Sequence, residues 1–382
     1  MASSYQEACA AAETLGFPLL LRPSFVLGGR GMAIVSRPEQ LGEFMDEAIR
    51  VTPEHPVYLD RFLEDAVELD LDCLCDGHEV YIGGILEHIE MAGIHSGDSA
   101  CCIPPFTLSL RLQRRLRDIA TQLALQLQVR GLLNVQFAVK GQQVYVLEAN
   151  PRASRTVPFI SKATGVSLAR IASLLMCGQR LSDLQLPPDD RELRHFCVKE
   201  AVLPFGRFPG ASAVLGPEMK STGEVMGIAR SFPQAYIKTQ IAVGYELARD
   251  GIVLIAVRDE DKRSIGQIAC ALADLGFQLA ATPGTARTLH AMGLEVTQVA
   301  PLGSEAGGEP GIEALIDSGE LKLIINTPSG EKGHDHVFLL RTAAVQHGIT
   351  YITTMAAAQA FTVGLESSRA SEGLSVISLQ DL

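Results

Sequence analysis

Two apolar runs near the middle of the chain, Leu132 to Val139 and Val144 to Ala149, flank Lys140-Gly141-Gln142-Gln143 and end in Glu148-Ala149-Asn150-Pro151-Arg152. A glycine-bearing turn between two such runs predicts a hairpin. Residues two apart on extended backbone point the same way, so Glu148 and Asn150 share a face. Gln136, on the preceding strand, can meet them across the hairpin. One carboxylate and two amide oxygens, converging with triphosphate oxygens and water, suit the hard cation Mg²⁺. Arg152 carries the charge and fork geometry to hold a phosphoryl group in transfer. The plain alternative is a polar strand edge facing solvent. The turn chemistry of Asn150 to Thr156, directly after a core strand, keeps the two readings level.

Two further segments bear on that site. Leu21-Arg22-Pro23-Ser24-Phe25-Val26-Leu27-Gly28-Gly29-Arg30-Gly31-Met32 combines arginines with glycines that let backbone amides approach phosphate oxygens. It matches neither of the common phosphate-loop spacings, and an ordinary hairpin turn explains it as well. Glu87-His88-Ile89-Glu90 and Gly93-Ile94-His95-Ser96-Gly97-Asp98-Ser99 read as a loop packed against a ligand, although His95 alone would as readily be a hydrogen-bonded structural histidine.

The elements around these residues fall into two styles. Up to about residue 247 strands and helices mix without regular alternation. An amphipathic helix starts at Ser4, with Glu7 in capping-box spacing, and stops at Gly16. Strands are expected at Pro18 to Arg22, Val57 to Asp60, Val67 to Cys75 and Val80 to Leu86, with helices beginning at Pro38 and covering Ser109 to Val129, Pro158 to Lys162 and Leu168 to Met176. Glu68, Asp70 and Asp72 alternate with Val67, Leu69 and Leu71, which predicts one wet and one buried face. Leu184 to Arg194 is polar and proline-bearing, a surface excursion. From Gly251 the pattern becomes β-α alternation, with strands at Ile252 to Val257, Gln278 to Ala281, Glu295 to Val299, Leu321 to Asn326 and Thr350 to Thr353. That is the signature of a doubly wound parallel sheet. It divides the chain into 1–247 and 248–382, with a glycine-rich loop at Gly303 to Gly311.

Composition bounds the class. The 382 residues exceed the usual size of one core, and 44 acidic against 32 basic residues give a formal charge of -12. That balance argues against nucleic acid or an anionic membrane as the main partner. No stretch approaches the ~20 apolar residues of a membrane span. Eight cysteines without a CxxC pair read as buried free thiols in a reducing cytoplasm.

Taken together, Arg22 to Arg30, Ile94-His95-Ser96-Gly97-Asp98, Asn134-Val135-Gln136-Phe137-Ala138, Glu148-Ala149-Asn150-Pro151-Arg152, Ser161-Lys162-Ala163-Thr164-Gly165 and Gly216 to Val225 closely resemble the large chain of carbamoyl-phosphate synthase, in one register over essentially the whole chain. The match is to its C-terminal half. The resemblance implies an ATP-grasp unit lacking its upstream subdomain, followed by a methylglyoxal-synthase-like regulatory domain. It implies an ATP-dependent ligase that phosphorylates carbamate to carbamoyl phosphate in pyrimidine and arginine biosynthesis. Arg22, Arg61, Leu63, Glu68, Gly93, Ile94, His95 and Ser96 would then line the ATP pocket, with Gln136 and Glu148 also touching the nucleotide. Gln136, Glu148 and Asn150 would hold Mg²⁺ or Mn²⁺, and Arg152 would stabilise the transferring phosphoryl group. Glu90, Asp98 and Glu200 match positions that bind the activator ornithine. Lys262, Thr282, Thr285 and Asn326 match effector-phosphate positions for UMP or IMP. The lysine expected near Pro301 is absent, and Pro328 replaces a usual threonine.

The implied partners are the remaining N-terminal portion of the large chain and a glutaminase small subunit. Because the resemblance starts after the upstream ATP-grasp subdomain, the expectation is a fragment, a truncated product or one piece of a split enzyme, poor in catalysis alone. A non-catalytic module that binds ATP or effector is the main rival. Another ATP-grasp ligase, such as a biotin carboxylase, is disfavoured by the run Gly216 to Val225. A methylglyoxal synthase is disfavoured because Thr327-Pro328-Ser329 offers no carboxylate base after Asn326.

Overall fold

A computed structural model describes the chain apart from residues 26–29, 52–53, 206–214, 302–310, 328–339, 370–373, 377, 379 and 381–382. The expected Leu27 to Gly29 turn, most of the Gly303 to Gly311 loop, and Pro328 lie outside the described residues.

The chain opens with helix α1 (Tyr5–Leu15), whose N-terminal Ser4 hydroxyl accepts the Glu7 amide at 3.3 Å. Glu7 returns its carboxylate to the amide of Ser3 at 2.8 Å, one residue earlier than an ideal capping box. Gly16 ends the helix at φ 74°. Strands β1 (Leu19–Arg22), β2 (Ala33–Val35) and β3 (Tyr58–Arg61) form an antiparallel sheet with β1 in the middle. Pro38 opens a short 3-10 turn rather than the helix itself, and α2 (Leu41–Val51) follows it. Leu19, Leu21 and Val35 meet Ala8 and Met45 in the core of this unit.

A seven-stranded sheet follows, built from β4 (Val67–Cys75), β5 (Val80–His88), β6 (Cys101–Ile103), β7 (Gly131–Lys140), β8 (Gln143–Asn150), β9 (Phe196–Val202) and β10 (Gly223–Ala229). Its order is β10-β9-β6-β5-β4-β7-β8, and each pairing is antiparallel. Helix α3 (Leu110–Gln126) covers one face, with Leu116 and Ala120 against Leu69, Leu71, Leu133, Val135 and Phe137. The other face is split. At one end Leu74, Leu86, Leu132 and Ile103 pack under α4 (Val157–Thr164) and α5 (Leu168–Met176). Two-residue alternation then puts Asp72 and Asp70, Asn134 and Gln136, and His88 on that same face beyond the helices. The sheet thus changes from oil to polar network along its strands, and the network is the candidate site.

Two expectations need correcting here. Asp70 and Asp72 were expected on a wet face, yet both are buried. The sheet carries a second layer over that face, so alternation separated polar from apolar environments rather than solvent from core. Strands β2, β6, β9 and β10 are not among the expected ones. β6 is three residues long, and the charged pair Lys199-Glu200 interrupts the apolar run of β9.

Helix α6 (Phe232–Ala242) leads to the expected parallel sheet, ordered β13-β12-β11-β14-β15. Its elements are β11 (Ile252–Val257), α7 (Lys262–Asp274), β12 (Gln278–Ala281), α8 (Pro283–Ala291), β13 (Thr297–Gln298), α9 (Ile312–Asp317), β14 (Leu321–Thr327), α10 (340–347), β15 (Thr350–Ile352) and α11 (Met355–Arg369). The expected strand at Glu295 to Val299 shrinks to the two residues of β13. Tyr236 and Ile237 of α6 and Phe361 of α11 join one core running from Cys102 and Val198 to Val253 and Ile325. The packing is therefore continuous across the expected division at 247/248. No single helix among the described residues is long and apolar enough to cross a membrane.

Candidate active site

The hairpin expected from the sequence is formed, and its register places Gln136 opposite Glu148 and Asn134 opposite Asn150. On the other side of β7, Gln136 faces Asp70 and Asn134 faces Asp72. The network is ordered from its buried end outward. Asp72 accepts the Ser154 hydroxyl at 2.7 Å, the Thr156 hydroxyl and the Asn134 amide at 3.3 Å. These bonds moor the turn after β8 to the sheet. Burial pushes the Asp72 carboxyl up to about 6 against the pull of the two hydroxyls.

Asp70 is held the other way. Burial opposes its charge, but His88 at 2.8 Å and the amides of Asn134 at 3.2 Å and Gln136 at 3.1 Å outweigh it. Its carboxyl lies below the usual range, while His88 is pushed well above its own. Burial opposes the imidazolium, and the Cys101 thiol and Asp70 overcome it. His88 Nδ1 also lies 3.6 Å from Glu68 Oε2. Glu68 accepts the Gly93 amide at 3.0 Å, and burial raises its carboxyl despite His88.

Toward the rim, Gln136 donates to Ser96 Oγ at 3.0 Å, and buried Lys199 donates to the Ser96 carbonyl at 3.0 Å. Asn150 donates to Glu148 Oε1 at 2.7 Å. Both amides therefore spend their nitrogens on neighbours and leave their oxygens free of those bonds. One carboxylate and two amide oxygens at adjacent register positions fit a hard divalent cation that is completed by phosphate and water. Among the described residues no cluster of three or more histidine, cysteine or acidic side chains is placed to hold a metal.

The remaining expected residues are distributed around this centre. Gly93, Ile94, His95 and Ser96 lie on the loop over the polar face. His95 Nδ1 accepts the Gly97 amide at 3.0 Å, and burial lowers its pKa. Arg22 pairs with Asp60 at 2.6 Å across β1 and β3. Arg61 and Leu63 line a cleft of about 460 Å³ with Phe62, Lys140 and Tyr145. Arg152 is exposed and donates to the neighbouring Ala153 carbonyl at 3.3 Å. Asp98 is buried and accepts the Lys220 and Ser221 amides at 2.7 and 2.8 Å. Its carboxylate thus fixes the 220–221 segment.

Glu90 and Glu200 come together near the parallel sheet. Glu90 accepts the Thr353 hydroxyl at 2.8 Å and lies 3.7 Å from Arg341, while Glu200 accepts the Gln240 amide at 2.9 Å. Thr282 precedes α8, and the Lys262 ammonium reaches its first turn, 2.8 Å from where a Gly284 Cβ would stand. Thr285 bonds the Val257 amide at 3.3 Å, and Asn326 donates to the Tyr351 hydroxyl at 2.9 Å.

Sequence reasoning missed Asp70, Asp72, His88, Asn134 and Lys199 as parts of one network. The alternating acids of β4 were the available signal.

Residues 1–184 match the family model for the carbamoyl-phosphate synthase L chain, ATP binding domain, and residues 264–353 match the MGS-like domain. The chain is 50% identical over 372 residues to the carbamoyl phosphate synthase large chain of Methanothermobacter thermautotrophicus, covering 97% of this chain and 35% of that one. It is 47% identical to the carbamoyl phosphate synthase large chain, C-terminal section, of Methanocaldococcus jannaschii, covering 99% of this chain and 62% of that one. The chain belongs to the carbamoyl-phosphate synthase large-chain family. It spans about a third of the length of the full-length large chains it matches. A solved structure, the biotin carboxylase domain of Hydrogenobacter thermophilus 2-oxoglutarate carboxylase with MgADP, ADP and bicarbonate, aligns with TM-score 0.51 at 17% identity. That alignment covers 64% of this chain and 60% of the other. The carbamoyl-phosphate synthase sequence thus sits on an ATP-grasp fold, followed by an MGS-like domain.

Proposed function

We propose that the polar half of the seven-stranded sheet is a magnesium–ATP site that transfers a phosphoryl group between ATP and carbamate, giving carbamoyl phosphate. The observation that carries this reading is the Gln136–Glu148–Asn150 set, whose two amides donate through nitrogen to Asp70 and to Glu148, backed by a buried Asp70–His88 pair. In this reading residues 1–247 hold the chemistry and 248–382 its regulation. The whole enzyme includes the rest of the large chain and a glutaminase subunit that supplies ammonia.

Gln136, Glu148 and Asn150 hold Mg²⁺ or Mn²⁺. When bound, the cation neutralises charge on the β- and γ-phosphate oxygens. Arg22, Arg61 and Leu63 form one wall for the nucleotide, while Glu68 and the Gly93 to Ser96 loop form another. Asp70 and His88 keep Gln136 in one rotamer, so the site needs no rearrangement when charge develops. Arg152 moves onto the phosphoryl oxygens from its exposed position. Asp72 holds the base of that turn through Ser154 and Thr156. Glu90 and Glu200 form an acidic pocket suited to the cationic activator ornithine. Lys262 with Thr282, Thr285 and Asn326 receives the phosphate of UMP or IMP.

The test is the reverse reaction. The chain alone, incubated with MgADP and carbamoyl phosphate, forms ATP slowly, and Glu148→Gln abolishes it. Tight MgADP binding with no ATP formed would favour a nucleotide-binding module without transfer.

A further inference from the structure

Lys199 lies on β9 with 1% of its surface exposed, and β6, β5 and β4 separate it from Gln136 on β7. A lysine is almost never buried so far unless its charge is met. Its register neighbours are Cys101 on β6 and Met226 on β10, and neither is an acid. Glu200, next in the chain, points to the other face, toward Gln240. The Lys199 ammonium instead donates to the Ser96 carbonyl at 3.0 Å.

Ser96 sits in a tight turn. The Asp98 amide donates to the His95 carbonyl at 2.8 Å, which makes Ser96 and Gly97 the central residues. The peptide between two such residues can stand in either of two opposed orientations, and glycine at the second position permits both. Gly97 nonetheless keeps a φ outside the left-handed region. That peptide is gripped at both ends, by Lys199 on the Ser96 carbonyl and by His95 Nδ1, which accepts the Gly97 amide at 3.0 Å. With the carbonyl held, the Ser96 hydroxyl stands over Gln136, whose amide nitrogen donates to it at 3.0 Å. Asp70 takes the other proton of that nitrogen at 3.1 Å. Gln136 is thus oriented by an acid on β4 and, through Ser96, by a lysine on β9.

We propose that Lys199 is a positioning residue for phosphoryl transfer: by fixing the Ser96 carbonyl it keeps the Ser96 hydroxyl on Gln136 and holds that amide in one orientation. The proposal rests on reading Gln136 as a cation ligand. It accounts for a buried ammonium that is spent on a loop carbonyl rather than on an acid.

The test uses the full chain and two readouts. The first needs no ligand: solvent exchange of the Gln136 side-chain amide protons, followed by NMR. Lys199→Met, a substitution of similar length that suits a core, speeds this exchange about tenfold, the size of one lost hydrogen bond. The Asn134 side-chain amide, held by Asp70 and Asp72, does not change and reports an intact sheet. Lys199→Gln, a shorter neutral donor, falls between the two and tests the same bond should methionine unfold the chain. The second readout is calorimetry with MgADP. Lys199→Met weakens binding about tenfold, as loss of a group behind a metal ligand does. Ser96→Ala weakens it too, and adding Lys199→Met to Ser96→Ala brings no further loss, because both cut one link. Unchanged Gln136 exchange in the Lys199 variants, or additive losses in the double variant, overturns the proposal. Equal acceleration at Asn134 and Gln136 also overturns it, since Lys199 would then only stabilise the sheet. A chain that shows the Gln136 response but binds no MgADP loses the proposed function and keeps the Lys199–Ser96–Gln136 link.

Discussion

Gln136 turns its amide nitrogen onto Asp70 Oδ1 at 3.1 Å, although in the sheet it stands opposite Glu148 as well. The same nitrogen also donates to Ser96 Oγ at 3.0 Å, so both of its protons are spent on the β4 acid and the loop, and none on Glu148. Asp70 makes that choice dependable. It is buried, ionised by the His88 contact, and able to accept two amide donors at once. An ionised acid buried beside Gln136 acts as a rotamer lock for that side chain.

Glu148→Gln removes the only carboxylate of the proposed cation set and leaves its shape. MgADP affinity falls by about 10- to 100-fold, while ADP binding in excess chelator changes little. Because Glu148 is exposed, the unfolding free energy changes by less than about 0.5 kcal/mol. Calorimetry with and without magnesium checks both halves. Equal losses in the two conditions would show that Glu148 touches nucleotide alone.

Asp72 holds the turn after β8. Asp72→Ala takes one of two acceptors from the Asn134 amide, which keeps Asp70, and the shared acceptor from the Ser154 and Thr156 hydroxyls, which keep each other, at a cost of about 1–3 kcal/mol. Asp72→Asn costs less, because hydroxyls can reverse and donate or accept as needed. Urea unfolding orders the two variants. Limited proteolysis between residues 150 and 156 should accelerate in both, and an unchanged cleavage rate would mean that Asp72 does not moor the Arg152 turn.

How much of this was legible beforehand depended on how local each feature is. The β7–β8 hairpin was readable because its turn, its apolar runs and its polar end lie within twenty residues. The parallel sheet was readable because β-α alternation repeats. The role of β4 was not, since Asp70 and Asp72 look like the wet half of an amphipathic strand until α4 and α5 are seen covering the same face further along. Lys199 was invisible for a related reason. It faces Ser96, which is over a hundred positions away, and no period in the sequence records that contact.

The α8 cradle should bind a nucleoside monophosphate through charge more than through hydroxyls, because Thr285 and Asn326 are already bonded to Val257 and Tyr351. Titrating UMP into the chain by calorimetry gives heat that Lys262→Ala reduces about tenfold in affinity, the loss of one charge-assisted contact. Thr285→Ala costs stability more than affinity, since its hydroxyl serves the β11 backbone. No heat from wild-type chain at millimolar UMP would remove the effector reading of this cradle.

Glu200 gives the fold a pH dependence of defined sign. Burial pushes its carboxyl up to about 8, Glu90 adds to the shift, and Lys199 and the Gln240 amide oppose it. Tyr236, Tyr245 and Arg341 complete the surroundings. A carboxyl whose folded pKa is raised binds its proton more tightly in the native state than in the unfolded chain. Between the unfolded value of 4.5 and about 8, the native state therefore holds more protons, and stability from this group falls as pH rises through that window. Below it the contribution is constant and favourable; above it the destabilisation is fully expressed. Glu200→Gln keeps the Gln240 side occupied and cannot ionise. It should raise the melting temperature at pH 8 by at least roughly 2–4 °C relative to wild type, and by much less at pH 5. A cationic ligand at Glu90 and Glu200 acts in the opposite sense, favouring the ionised pair and so binding better as pH rises. The same melting curve that loses stability toward pH 8 should regain it with ornithine present, and only where Glu200 is intact.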